Sequence, residues 1–275
     1  MELFMGLKTC DVKIFQSWEY VHPDFADDLK SLRQSGELHR NGIHPVIWRT
    51  KQKFVMRITA PSGKVAAFKF YDKLKSPQKF FLRHSPAAAE ALNYQRIADM
   101  NIAAPQLLAA GDVRKCGKLI SSFIITAFAE NYRDGRDFFD EGIHAGDIAL
   151  RNEFIRRAME LLARCHNHNI LHRGYTPANI LSKVRESADD KGNNLDIMFI
   201  DVASCRKLPR WLLKLKLMVD FIMFFRFFEL DAAQRKEFLQ YYINASEKPL
   251  FTLDTLSIKV EKALRKHLQK QTLPR

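Results

Sequence analysis

Two stretches constrain the fold more than the rest of the chain. One is Leu171 to Leu181, LHRGYTPANIL; the other is the apolar run Ile197 to Ile200, which ends on Asp201. The interval between Asn179 and Asp201 leaves room for a β-hairpin whose polar tip is RESADDKGNN. Such a hairpin brings an Asn carbonyl and an Asp carboxylate to neighbouring strand ends. Both are hard oxygen ligands, suited to a small divalent cation.

The chain has 275 residues, of which 47% are hydrophobic, enough for one large domain or two lobes with a sizeable core. Cys10, Cys116, Cys165 and Cys205 are scattered without a CxxC pair, which argues against a zinc site and against a disulfide scaffold. The N-terminal MELFMGLKTCDVKIF lacks the continuous apolar core of a signal peptide. The most apolar stretch, Trp211 to Phe228, carries Lys214, Lys216, Asp220 and Arg226. A membrane-spanning helix would bury those charges in hydrocarbon, so the expectation is a core or interfacial helix and a cytosolic protein. The net charge of +13 points to an anionic partner, or else to a lysine-rich solvated surface. No nucleic-acid-binding motif accompanies it, so a membrane surface or a phosphorylated substrate is the expected class.

Residues 1 to about 45 are weakly patterned: WEYVHPDF and SLRQSGELHRNG read as a short lead-in and a first strand. Phe54 to Tyr71 predicts a β-hairpin, with FVMRI and KVAAFKFY as strands and APSG as the turn. Lys69 lies inside the second strand, where alternation alone leaves it free to face solvent or a site. Ser85-Pro86 opens a helix that carries Glu90 in its first half and ends near Asn101. Strands at about 106 to 111 and 119 to 127 follow. The next helix, from about Ile148 to His168, has Phe154, Ala158, Leu161, Leu162 and Cys165 at core spacing. After Asp201 the pattern is helical, at 211 to 228, about 231 to 244 and about 254 to 271. The last of these has lysines opposite its apolar face. Strands first and helices second predict an α+β protein with a β-rich N-lobe, about 1 to 127, and a helical C-lobe, about 128 to 275, within one domain.

The order of these elements resembles a protein kinase. His172, Arg173 and Asn179 match the first, second and last positions of H-R-D-L-x-x-x-N, Asp201 matches the Asp of D-F-G, and Lys69 matches the lysine of V-A-I-K. Within that superfamily the chain resembles the lipopolysaccharide kinases that act on core heptose or on Kdo (3-deoxy-D-manno-octulosonic acid). The resemblance covers roughly residues 50 to 245. It rests on SFIIT at 122 to 126 as hinge strand, the HR element, the FID strand end, the basic PRW after it and DAAQRKEFLQYY at 231 to 242. Three positions depart from the pattern. The region HRNGIHPVIWR has Gly42 alone instead of G-x-G-x-x-G, Asp201 is followed by Val202-Ala203, and Gly174 stands where the catalytic Asp belongs.

The resemblance implies a two-lobed protein-kinase-like fold and transfer of phosphate from ATP, with Mg²⁺, to a sugar of the lipopolysaccharide inner core. It implies that Lys69 holds phosphates, Glu90 orients Lys69, Asn179 and Asp201 bind metal, and Asp220 is a helix aspartate bracing the catalytic loop. It also implies work on lipopolysaccharide core or another anionic glycolipid, at an anionic membrane surface on the inner face of the inner membrane. Two alternatives stand beside it. Gly174 points to a nucleotide-binding pseudokinase or interaction module, and the same fold also serves small-molecule and protein kinases.

Overall fold

The computed structural model describes residues 17–36, 38, 44–51, 53–71, 80–81, 83–139, 142–185 and 194–272. The chain forms two compact units, Met1–Ala98 with Pro105–Ala129 and Asp99–Ala104 with Glu130–Arg275.

The first unit is built on a sheet. Strand β1 is Trp18–Val21, followed by a 3₁₀ turn, Pro23–Phe25, and helix α1, Ala26–Gln34. Then come β2 (Val46–Arg49), β3 (Lys53–Thr59), β4 (Val65–Tyr71), helix α2 (Pro86–Asp99), β5 (Leu107–Lys115) and β6 (Lys118–Ala127). The six strands pair antiparallel in the order β1-β5-β6-β4-β3-β2. The predicted hairpin is β3–β4. Its turn closes by Gly63 N–H donating to Ala60 O at 2.8 Å, with Gly63 at φ +86°, where a side chain would be strained.

Strand alternation assigns the two faces of this sheet separate work. Ala66 and Phe68 of β4 join Met56, Ile58 and Ile125 in a core with Phe25, Leu29 and Leu32 from the α1 segment. Ala67, Lys69 and Tyr71 therefore fall on the opposite face. Helix α1 corrects the expectation of a lead-in and first strand through residue 45. The strand comes first, at 18–21, and all of SLRQ is helical. Phe25, Leu29 and Leu32 recur at i, i+4, i+7, which buries one helical face. Asp28 then pins the helix to the β3–β4 turn by accepting from Ser62 N–H at 3.0 Å and Ser62 Oγ at 2.6 Å.

The second unit is organised on helix α3, Ile148–Asn167, whose N-cap Asp147 accepts from Leu150 N–H at 2.9 Å. Strand β7 (Arg133–Asp134) precedes it. After it come β8 (Ile170–Leu171), the hairpin β9 (Ile180–Arg185) with β10 (Asn194–Phe199), and β11 (Arg206–Lys207). The tip of that hairpin, 186–193, lies outside the described residues, as do 1–15 and 39–43 of the regions discussed above. Helices α4 (Arg210–Lys216), α5 (Met218–Phe225), α6 (Ala232–Asn244) and α7 (Leu253–Thr272) complete the unit.

The predicted single helix over 211 to 228 is two helices that meet at Leu217 and end at Phe225. Leu217 keeps helical dihedrals and its N–H still reaches Leu213 O at 2.9 Å, but Asp220 N–H bonds Leu217 O, a tighter turn. Most of the Phe-rich part is core: Phe221, Phe224 and Phe225 are fully buried and Phe221 meets Tyr242 edge-on at 5.0 Å, while Phe227 is exposed. Among the described residues no helix is long and apolar enough to cross a membrane.

Candidate active site

The first unit brings Lys69 and Glu90 together. Strand β4 presents Lys69 between Val55 of β3 and Ile124 of β6, on the face away from α1. Helix α2 starts at Ser85, whose Oγ accepts from Ala88 N–H at 3.1 Å, and its next turn delivers Glu90. Lys69 Nζ lies 3.0 Å from Glu90 Oε2 and 3.1 Å from Oε1. The side chains are 12% and 2% exposed, so neither charge has much water to fall back on, and each depends on the other.

Two residues that the sequence reading did not single out belong to this arrangement. Tyr71 donates its hydroxyl to Glu90 Oε2 at 2.7 Å. Lys53, opposite Tyr71 in the β3–β4 register, puts Nζ 4.9 Å from the Trp48 ring and 5.9 Å from that of Tyr71. Period-two counting from Lys69 would have found Tyr71; Lys53 required the strand register. Tyr71→Phe is expected to cost about 1.5–3 kcal/mol, because the lost bond goes to a buried carboxylate. Denaturant titration of the variant against wild type checks it.

The second unit assembles the other candidates. The register of β9 with β10 sets Ile180 opposite Phe199, and Ile200 N–H donates to Asn179 O at 3.0 Å. The hairpin thus carries Asn179 to the strand end that leads into Asp201. Asn179 Nδ2 donates to Gly174 O at 2.8 Å, which turns the amide so that Oδ1 is the group left without a hydrogen bond among the described residues. Asp201 sits in the left-handed region, φ 54° and ψ 52°, before a 3₁₀ turn, Val202–Ser204. Ser204 Oγ from that turn donates to His172 O at 2.8 Å.

Asp220 is fully buried on α5 and holds the loop by its backbone. It accepts from His172 N–H at 2.9 Å and from Arg173 N–H at 2.6 Å. Arg173 has φ 66°, an uncommon conformation for a residue with a side chain, and it occurs where that carboxylate captures its N–H. His166 Nε2 lies 3.3 Å from Asp220 Oδ2, and His166 Nδ1 lies 2.9 Å from the Tyr242 hydroxyl. Neither His166 nor Tyr242 had a local sequence signal.

His172 is fully buried among the rings of Phe199, at 5.0 Å, and Tyr175, at 5.6 Å. Burial pushes its pKa below the ordinary histidine value, against the opposing pull of Asp220 and Asp201. A neutral ring agrees with Nδ1 accepting from Gly174 N–H at 3.3 Å, which leaves the proton on Nε2. His172 is therefore a packing and backbone-ordering residue.

Gly174 itself is not in the left-handed region, unlike Gly36, Gly63 and Gly117. A Cβ there would meet Ser204 Oγ at 3.2 Å, Asn179 Nδ2 at 3.6 Å and His172 Nδ1 at 3.8 Å. The backbone at this position accepts an ordinary side chain.

No curated protein matches the chain. Among solved structures, WaaP in complex with acyl carrier protein is similar, with a TM-score of 0.65 and 13% identity, over 93% of this chain and 99% of that one. The Rio2 kinase–ADP/Mg²⁺–phosphoaspartate complex from Chaetomium thermophilum is similar with a TM-score of 0.53 and 14% identity, over 89% of this chain and 74% of that one. These likenesses show an α+β, protein-kinase-like fold. Residues 74–242 match the lipopolysaccharide kinase (Kdo/WaaP) family, more than half of the sequence, and the chain belongs to that family.

Proposed function

We propose that the protein is an ATP- and Mg²⁺-dependent phosphotransferase whose acceptor is a sugar hydroxyl, on heptose or Kdo, of the lipopolysaccharide inner core. The observation that carries this reading is the closed Lys69–Glu90 pair at 3.0 Å. Phosphoryl transfer in kinases requires that lysine to be held by that glutamate. In this reading Lys69 grips phosphate oxygens, and Glu90, itself fixed by Tyr71, sets the direction of the ammonium. The donor set fits a hard cation: Asn179 has its carbonyl oxygen left over, and Asp201 adds a carboxylate at the neighbouring strand end. A bound Mg²⁺ supplies neutralisation of the phosphate charge. Arg173 and His172 act through their backbone, ordering the loop that carries Gly174 and Asn179. The net charge of +13 and the exposed Lys259, Lys262, Lys266 and Lys270 of α7 support residence at an anionic membrane surface, the inner face of the inner membrane.

Gly174 favours a second reading, a pseudokinase that binds nucleotide without a catalytic base. Both readings require nucleotide binding. Mg·ATP at 100 times its Kd is expected to stabilise the fold by about 2.7 kcal/mol. Asp201→Ala should remove the metal-dependent part of that gain. A melting temperature that does not move at millimolar Mg·ATP would sink both readings. Transfer of labelled γ-phosphate from ATP to purified lipopolysaccharide then separates them.

A further inference from the structure

We infer that helix α4 is a membrane-docking element, with Trp211 and Leu215 entering the interface of an anionic bilayer. The inference rests on the membrane-surface reading above and names the face that makes the contact. Helix α4 is apolar on two sides. Leu213, and Leu217 just beyond the helix end, are fully buried and anchor it to the unit. Trp211 and Leu215, also one turn apart, point the other way and are 66% and 70% exposed. Single exposed apolar residues are ordinary; a Trp and a Leu on one turn of the same exposed face are not.

The charge along this segment is of one sign. Residues 202–219 contain Arg206, Lys207, Arg210, Lys214 and Lys216 and no Asp or Glu. All five cations are exposed. Lys259 joins from α7: its Nζ and that of Lys214 each lie 5.3 Å from the Phe251 ring. Arg210 donates to Lys248 O, which sets another exposed lysine beside the helix.

A protruding Trp-Leu pair within a ring of cations matches the lipid headgroup boundary. There an indole sits at the interface, an aliphatic side chain reaches the acyl region, and lysines meet anionic headgroups. Charge complementarity and the convex apolar pair favour a bilayer over an acidic protein as the occupant. The placement also has a consequence for the catalytic loop. Strand β11, Arg206–Lys207, pairs with β8, Ile170–Leu171, which runs directly into His172. Helix α4 then leads to Asp220, which holds His172 and Arg173. A bilayer that held α4 would thus bear on both supports of the loop.

The test is sedimentation with vesicles of phosphatidylglycerol and phosphatidylcholine, and of phosphatidylcholine alone, at low and high salt. Wild type should bind the anionic vesicles, and less tightly as salt rises. The double variant Trp211→Ser with Leu215→Ser should bind at least about tenfold more weakly. Lys214→Gln with Lys216→Gln should lose roughly fivefold per charge. All four positions are exposed, so folding should be unaffected, which unchanged melting temperatures confirm. Brominated phosphatidylglycerol should quench wild-type tryptophan fluorescence on binding, and Trp211→Phe should remove that quenching while vesicles are still bound. Wild type that ignores anionic vesicles at low salt overturns the membrane-surface reading itself. Wild type that binds them, with the Ser variant binding equally and no quenching from Trp211, overturns only the α4 assignment and leaves this face to a protein partner.

Discussion

Gly174→Asp is expected to raise the rate of phosphate transfer to lipopolysaccharide by up to ~10²- to 10⁴-fold, the range of a positioned general base. That corresponds to about 3 to 5 kcal/mol off the barrier. The expectation follows from how little else at the loop has to change. Gly174 lies outside the left-handed region, so an Asp there carries no left-handed backbone strain. Its Cβ would press only Ser204 Oγ, at 3.2 Å, a hydroxyl that can yield by a few tenths of an ångström while keeping its bond to His172 O. Gly174 O still accepts from Asn179 Nδ2, because that bond uses the backbone. The Asp220 clamp on the two preceding N–H groups is untouched.

The assay uses labelled γ-phosphate with wild type, Gly174→Asp and Asp201→Ala. A gain in the Asp variant, absent in Asp201→Ala, identifies a chain that transfers phosphate slowly for want of a base. No transfer by wild type or the Asp variant, with Mg·ATP binding intact, leaves the pseudokinase reading in place. Measurable wild-type transfer that the Asp variant lowers assigns proton removal to another group or to solvent. In that case glycine keeps room for it.

How far the site was legible in the sequence depends on how local each signal is. The hairpin of β9 with β10, the β3–β4 turn, α2 and α3 carry their own punctuation: Pro86 and the cap Ser85, the cap Asp147, and Gly63 in the turn. Helix α6 likewise has a reciprocal cap between Asp231 and Gln234. Helix α1 was missed because its core face is only three residues, Phe25, Leu29 and Leu32, among polar neighbours. The step at Leu217 has no Gly or Pro to announce it and arises from packing. Alternation left the direction of Lys69 open; the α1 core on one sheet face and Glu90 on the other decide it. The links of Asp220 to His172 and His166 cross 48 and 54 residues; the resemblance implied the first, and no local signal marked the second.

Asp220→Ala is expected to be the most damaging single change to the second unit. The carboxylate is fully buried and satisfies two backbone N–H groups, at 2.9 and 2.6 Å, in a loop with no alternative acceptor among the described contacts of those groups. Removing it orphans both donors, each costing about 1–3 kcal/mol when buried without a partner. It also removes what holds Arg173 at φ 66°, a conformation that costs on the order of 1 kcal/mol or more. His166 loses the acceptor near its Nε2. A loss of roughly 3–5 kcal/mol follows, a fall in Tm on the order of 10 °C for a chain of this size. Asp220→Asn separates bracing from burial: it keeps the volume and one acceptor oxygen, so one of the two N–H groups stays bonded. The Asn variant should melt between wild type and Asp220→Ala, and its phosphate transfer should fall further than its stability, because the released N–H loosens the loop that sets Asn179 and Gly174. Equal melting temperatures for wild type and Asp220→Ala would mean that the loop orders itself without the clamp.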